Sequence, residues 1–144
     1  MSGGAWKPRT LMMPKAETYP IAASDDVVRV RQVARAWCAE LKFSLVDQTK
    51  FVTATSEIAR NTLEHGGGGT MRAEIIENGA RKGIKLVFQD AGPGIPDLEL
   101  ALKDGYTTGG GMGLGLSGSK RLVNEFDLKS EPGQGTTVTI VRWK

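Results

Sequence analysis
The sequence predicts an α+β fold, a two-layer α/β sandwich in which a mixed or antiparallel sheet is covered on one face by helices. Three observations predict it. Residues 24–41 and 45–65 carry apolar side chains at helical spacing. Five shorter stretches alternate or run continuously apolar, as strands do. Glycine-rich turns separate these stretches, and the last two strands follow each other closely enough to form an antiparallel pair.

The elements follow in order. Residues 1–17 mix Gly, Pro, Lys and Met without a period and read as a flexible tail, so the folded domain spans 18–144. Tyr19 to Ala22 is a short first strand. Ser24, followed by Asp25 and Asp26, is a helix start with an N-cap and acids in the first turn. Val27, Val30, Val33, Ala34, Trp37 and Leu41 then face one side. A turn at Lys42–Ser44 leads to a second helix, Leu45 to His65, with Phe51, Val52, Ile58, Ala59, Thr62 and Leu63 on its apolar arc. Gly66 to Gly69 stop it. Met71–Glu77 and Lys85–Gln89 are strands around Asn78-Gly79, a hairpin signal in a loop lengthened by Ala80–Gly83. A rigid Gly92–Pro96 turn, a short helix at Leu98–Leu102, a glycine loop and a helix from Leu116 to Glu125 follow. Strands at Leu128–Ser130 and Thr136–Arg142 end the chain.

Composition bounds the function. A chain of 144 residues fits one domain with a real core. The net charge of +3 comes from scattered Lys and Arg, with few aromatics among them, so nothing supports a nucleic-acid partner. Arg29, Arg31 and Arg35 read as a solvated helix face. The single cysteine, Cys38, forms no intrachain disulfide and reads as a small buried hydrophobe. No apolar run is long enough to span a membrane and no signal peptide is visible. The expected setting is the reducing cytoplasm. With one histidine, His65, and no Cys/His cluster, a zinc site is not expected; His65 is placed to cap carbonyls at the helix end.

Three segments carry the chemistry. Glu57 and Asn61 stand at i and i+4 on one helix face, bordering the apolar arc where a helix meets a cleft. Asn is a poor helix former, yet it sits deep inside this helix. Its carboxamide oxygen is a hard ligand suited to Mg²⁺, and Glu57 can accept the proton of an attacking hydroxyl. Asp90 ends the apolar run Ile84–Phe88, where a carboxylate is costly unless donors reach it. Glycines follow it at once. The third segment, Gly109 to Leu116, is a glycine-dense loop before a helix, offering backbone N–H groups to phosphate. Its GxGxxG spacing does not follow a strand, so the Rossmann context fails, and its near-P-loop spacing puts the lysine, Lys120, one place late after Ser119.

In that order the segments Glu57-Ile-Ala-Arg-Asn61, Asp90-Ala-Gly-Pro-Gly94-Ile95 and Gly109-Gly-Gly-Met-Gly113-Leu-Gly115-Leu resemble the N, G1 and G2 boxes of the GHKL ATPase superfamily. Gly135-Thr136-Thr137 is similar to its closing Gly-Thr element. The likeness runs from about Ser24 to Lys144. It is greatest to the small bacterial serine/threonine kinases of the anti-sigma and switch-protein group, particularly the stressosome switch kinases, through Asp104 to Phe126. The resemblance implies the fold above and an ATP- and Mg²⁺-dependent serine/threonine protein kinase. Glu57 is then the general base and Asn61 the metal ligand. Asp90 receives the adenine amine, with Gly92, Gly94 and Ile95 against the base and Thr137 at the adenine edge. Thr107, Thr108, Gly109, Gly110, Gly111, Met112, Gly113, Leu114 and Gly115 form a lid over the phosphates. The implied acceptor is a STAS-domain antagonist protein, with partner switching toward a phosphatase. The alternative within the group is an anti-sigma factor kinase that sequesters a sigma factor. From another class comes a nucleotide-dependent binding module without turnover, against which an intact Glu57 argues.

Overall fold
Alternation along Gly69–Asn78 and Arg81–Asp90 builds the centre of the molecule. In a computed structural model, which describes residues 16–94 and 116–144, these segments are β2 and β3, paired antiparallel from Gly69↔Asp90 to Asn78↔Arg81. The hairpin between them is tighter than the sequence suggests. Only Gly79 and Ala80 lie between paired residues, and Gly79 takes φ +64°, the positive value that two-residue hairpins require. Ala80–Gly83, expected in the loop, therefore belongs largely to β3.

β1 (Ala16–Ile21) joins the outer edge of β2, and β5 (Gly135–Trp143) lies against β3 with β4 (Glu125–Glu131) beyond it. The order is β1-β2-β3-β5-β4, and every pairing is antiparallel, which settles the sheet as antiparallel rather than mixed. β1 starts at Ala16, two residues before the expected domain start, because Ala16 and Glu17 pair with Glu74 and Ala73. The expected tail up to residue 15, the Leu98–Leu102 helix, and site residues Ile95 and Thr107 to Gly115 lie outside the described residues.

Helices α1 (Ser24–Glu40) and α2 (Leu45–Glu64) cover one sheet face. Val30, Ala34, Trp37 and Cys38 from α1 and Phe51, Ala54, Ile58 and Ala59 from α2 pack on Met71, Ala73, Ile84, Leu86, Phe88 and Ile140. The α1 cap differs from expectation. Ala23 is the N-cap, and the Asp26 carboxylate accepts the N–H groups of Ala22 at 2.8 Å and Ala23 at 3.1 Å. Cys38 is fully buried, and burial pushes its thiol up to about 12, as a structural hydrophobe requires.

Helix α3 (Leu116–Arg121) is shorter than the expected Leu116–Glu125. Glu125–Glu131 alternates, with Phe126 and Leu128 against the core, and this pairing to β5 outcompetes continued helix. Arg142 of β5 ties the layers together. It donates to the Leu122 carbonyl at 3.0 Å and to the Asp47 carboxylate at 2.5 Å.

Candidate functional site
The hydrophobic arc of α2 decides which of its side chains face the site. Phe51, Ile58, Ala59 and Thr62 are buried on the sheet, and the buried threonines Thr55 and Thr62 satisfy their hydroxyls on the carbonyls of Phe51 and Ile58. Glu57 and Asn61 fall on the border of that arc and are half-buried. Asn61 lines a narrow cavity of about 20 Å³ under α2, and Glu57 lines a neighbouring groove between α2 and α3. Thus the two residues share a helix face one turn apart but look into adjoining spaces. Arg60 approaches Glu57 at 3.4 Å, an exposed pairing that steers the carboxylate weakly.

The cavity lies where the end of β3 meets the end of α2. Its apolar walls are Ile58, Phe88, Leu116 and Val138. Its polar groups are Asn61, Thr62, His65, Asp90 and Thr136. Asp90 is fixed by the backbone: its Oδ1 accepts N–H groups from Gly92 at 2.9 Å and Thr136 at 3.2 Å. Such bonds orient a carboxylate and leave its second oxygen for another donor.

The glycines around Asp90 are packing requirements. A Cβ on Gly66 would stand 2.3 Å from Asp90 Cγ, and one on Gly92 would stand 2.7 Å from Gly66 Cα. Gly66, expected only as a helix stop, is therefore part of the site. Gly92 fits against Gly66, while Gly94 takes φ +80° against the Glu131 carbonyl. Both serve the turn that carries Asp90.

Thr137 pairs with Gln89 and lies in the groove of Lys129 and Gln134 on the other side of the sheet. Strand side chains alternate, so the threonine on the cavity side is Thr136, which pairs with Asp90 and is buried. Its hydroxyl is 2.8 Å from that of Ser130.

His65 also differs from expectation. As the C-cap residue it donates its backbone N–H to the Asn61 carbonyl, but its ring lines the cavity. Its Nε2 is buried and has no hydrogen-bond partner among the described residues. Its position one turn after Asn61 was the signal in the sequence. The arrangement offers a small cavity with apolar walls, lined also by a backbone-fixed carboxylate and a carboxamide.

Residues 46–144 match the family model of the histidine kinase-, DNA gyrase B- and HSP90-like ATPases. The chain is 43% identical over 118 residues to the serine/threonine-protein kinase RsbT of Bacillus subtilis, covering 82% of this chain and 89% of that protein. It is 30% identical over 125 residues to the anti-sigma F factor of Geobacillus kaustophilus, covering 81% and 84% of the two. Among solved structures it resembles the RsbU and RsbW domains of Rv1364c from Mycobacterium tuberculosis, with a TM-score of 0.61 and 22% identity. That likeness covers 92% of this chain but 33% of the other, and it speaks for the fold.

Proposed function
The chain belongs to the family of histidine kinase-, DNA gyrase B- and HSP90-like ATPases, and we propose that it works as a serine/threonine protein kinase using Mg²⁺ and ATP on a STAS-domain partner. The observation that carries the reading is the placement of Asn61 and Asp90 on one cavity with Glu57 one turn away at the adjoining groove. The residues present fit the nucleotide. Asp90 holds a backbone-oriented carboxylate for the adenine amine, and Ile58, Phe88 and Val138 supply the apolar walls that a base requires. The orphaned Nε2 of His65 supplies a further polar contact for the nucleotide. The cavity is narrow, so adenine entry widens it, with Leu116 as a wall at the start of α3.

When bound, ATP supplies the γ-phosphoryl group, and Mg²⁺ neutralises phosphate charge. Asn61 would hold the metal through its carboxamide oxygen. Glu57 would accept the proton of the acceptor hydroxyl. The protein otherwise positions the groups, since phosphoryl transfer asks little covalent chemistry of it. Thr136 replaces Thr137 at the adenine edge in this reading. Gly92 and Gly94 keep the turn below the base, and Ile95 and residues 107–115, outside the described residues, are assigned to the nucleotide by the family resemblance alone.

Phosphorylation releases the partner, and the freed kinase binds a second protein, a phosphatase that it activates. The higher identity to the RsbT-named relative supports this switch over the sigma-sequestering alternative. The place of action is the cytoplasm, where ATP is present; no helix among the described residues is long and apolar enough to cross a membrane. The test is transfer of label from γ-labelled ATP to a panel of purified STAS-domain proteins, with mass spectrometry of the product. Label on a serine or threonine supports the proposal. Nucleotide binding with no transfer to any STAS protein supports the binding-module reading instead.

A further inference from the structure
The junction between α1 and α2 carries three features for which the fold has no use. Lys42, the residue after the α1 C-cap, takes φ +64°, the only positive value on a non-glycine residue among the described residues. Glycine ends helices in this way without strain, so a lysine here is held at a cost. Leu45 and Val46, the first two residues of α2, are 72% and 63% exposed, more than any other large apolar side chain among the described residues. Ser44 caps α2 by accepting the Asp47 N–H, so capping needs neither of them. Lys50, one turn beyond Val46 on the same helix face, is exposed, and neither it nor Lys42 makes an ion pair among the described residues. Asp47, the acid between them, is already bound by Arg142, which leaves Glu40 as the opposing charge of the junction. Arg35 of α1 is exposed and acts by charge on the Cys38 thiol together with Arg142 and Asp47, so it adds a third cation nearby.

We propose that this junction docks an acidic segment of a partner protein. The segment seats an aliphatic or aromatic side chain on Leu45 and Val46 and sets carboxylates against Lys42 and Lys50. Such a surface has the anatomy of an interface, an apolar centre with a charged rim. Charge decides the occupant. Residues 1–15 of this chain hold Lys7, Arg9 and Lys15 and no Asp or Glu, so like charge opposes them here. A two-fold contact with a second copy sets the same lysines against one another. An acidic partner gains from the lysines and covers the apolar pair at once. The surface is also remote from the cavity. A helix rises about 1.5 Å per residue, so Val46 stands about 22 Å along α2 from Asn61. A partner seated here leaves the nucleotide cavity open, and its docking does not depend on the kinase reading.

The test places the photo-crosslinker p-benzoylphenylalanine at position 45 of the full chain in its native host cells and maps the captured segment by mass spectrometry. The captured protein is then purified and titrated against the wild type and its variants. The segment is expected to carry more Asp and Glu than Lys and Arg around an aliphatic or aromatic residue, and its affinity is expected to fall as salt rises. Leu45→Ser combined with Val46→Ser is expected to weaken binding by roughly tenfold or more. The melting temperature should stay within about 3 °C, because both side chains already face water. Lys42→Gly separates function from stability. Relief of the left-handed strain is expected to hold or raise the melting temperature, while loss of the charge weakens binding by roughly 2- to 5-fold. Capture of residues 1–15 or of a second copy overturns the proposal, as does a captured segment without net negative charge. Capture no stronger than from a crosslinker at Lys129, on the edge strand β4, overturns it too, as does an affinity that the folded variants leave unchanged.

Discussion
Around Asp90 the backbone is crowded: Gly66, Gly92 and Gly135 each approach a neighbour so closely that a side chain on any of them would collide, and two N–H groups pin the carboxylate. Around Glu57 the described residues leave more room. Among them its carboxylate meets one exposed arginine, and a Cβ on Gly118 of the facing helix would meet nothing within 4 Å. The contrast teaches a division of labour. The carboxylate assigned to the base of the nucleotide is held in place before anything binds, which lowers the entropy cost of orienting it. The region assigned to the chemistry is less enclosed by the described residues.

The largest expected effect breaks the open region alone. Glu57→Gln keeps the side chain's shape and removes its basicity, so phosphotransfer is expected to fall by about 10²–10⁴-fold in a single-turnover assay. A fully active variant would move the base elsewhere and erase the functional side of the contrast. Next comes the crowded region. Asp90→Asn keeps an oxygen for the N–H groups of Gly92 and Thr136, so the fold survives. Loss of the charged partner is expected to weaken ATP binding by roughly 10- to 100-fold in calorimetry. Gly66→Ala forces the Asp90 carboxyl aside and is expected to weaken ATP binding at least as much.

How far these regions were legible depends on what each rests on. The second helix and the strand ending at Asp90 follow from periodicity within short windows, and the structure forms both; that Glu57 and Asn61 look into adjoining spaces does not follow from it. Contacts between distant segments are not written in that way. Gly66 and Asp90 are 24 positions apart (90 − 66), and only the folded chain reveals their contact. Thr136 and Thr137 are chemically equivalent in the sequence, and a shift of one residue in a strand reverses the face. The register that chooses between them is set by Gly135, which has φ +87° and sits against the Asp90 carbonyl. Likewise, the residues after Arg121 suit either helix or strand, and the edge of β5 decides between them.

A smaller effect falls on the metal. Asn61→Ala is expected to weaken Mg·ATP binding by several-fold while leaving Mg²⁺-free nucleotide nearly unaffected, as two parallel titrations would reveal. Equal losses would make Asn61 a structural residue of the cavity. The smallest effect concerns stability. The hydrogen bond from Arg142 holds the Asp47 carboxyl below its ordinary value of 3.8. A group whose folded pKa is lowered stabilises the protein above its unfolded pKa, and that contribution disappears as pH falls through the folded one. Asp47→Asn is therefore expected to lower the melting temperature by roughly 2–4 °C at pH 7. The difference should shrink below about pH 4. A difference that persists at low pH would assign the effect to packing.

The division between the two regions is tested most directly by titrating Mg·ATP into Glu57→Gln and Asp90→Asn side by side. The account predicts that Glu57→Gln binds within a few-fold of the wild type while Asp90→Asn loses roughly 10- to 100-fold. Equal losses in both variants would contradict it, because recognition and chemistry would then reside in one inseparable site.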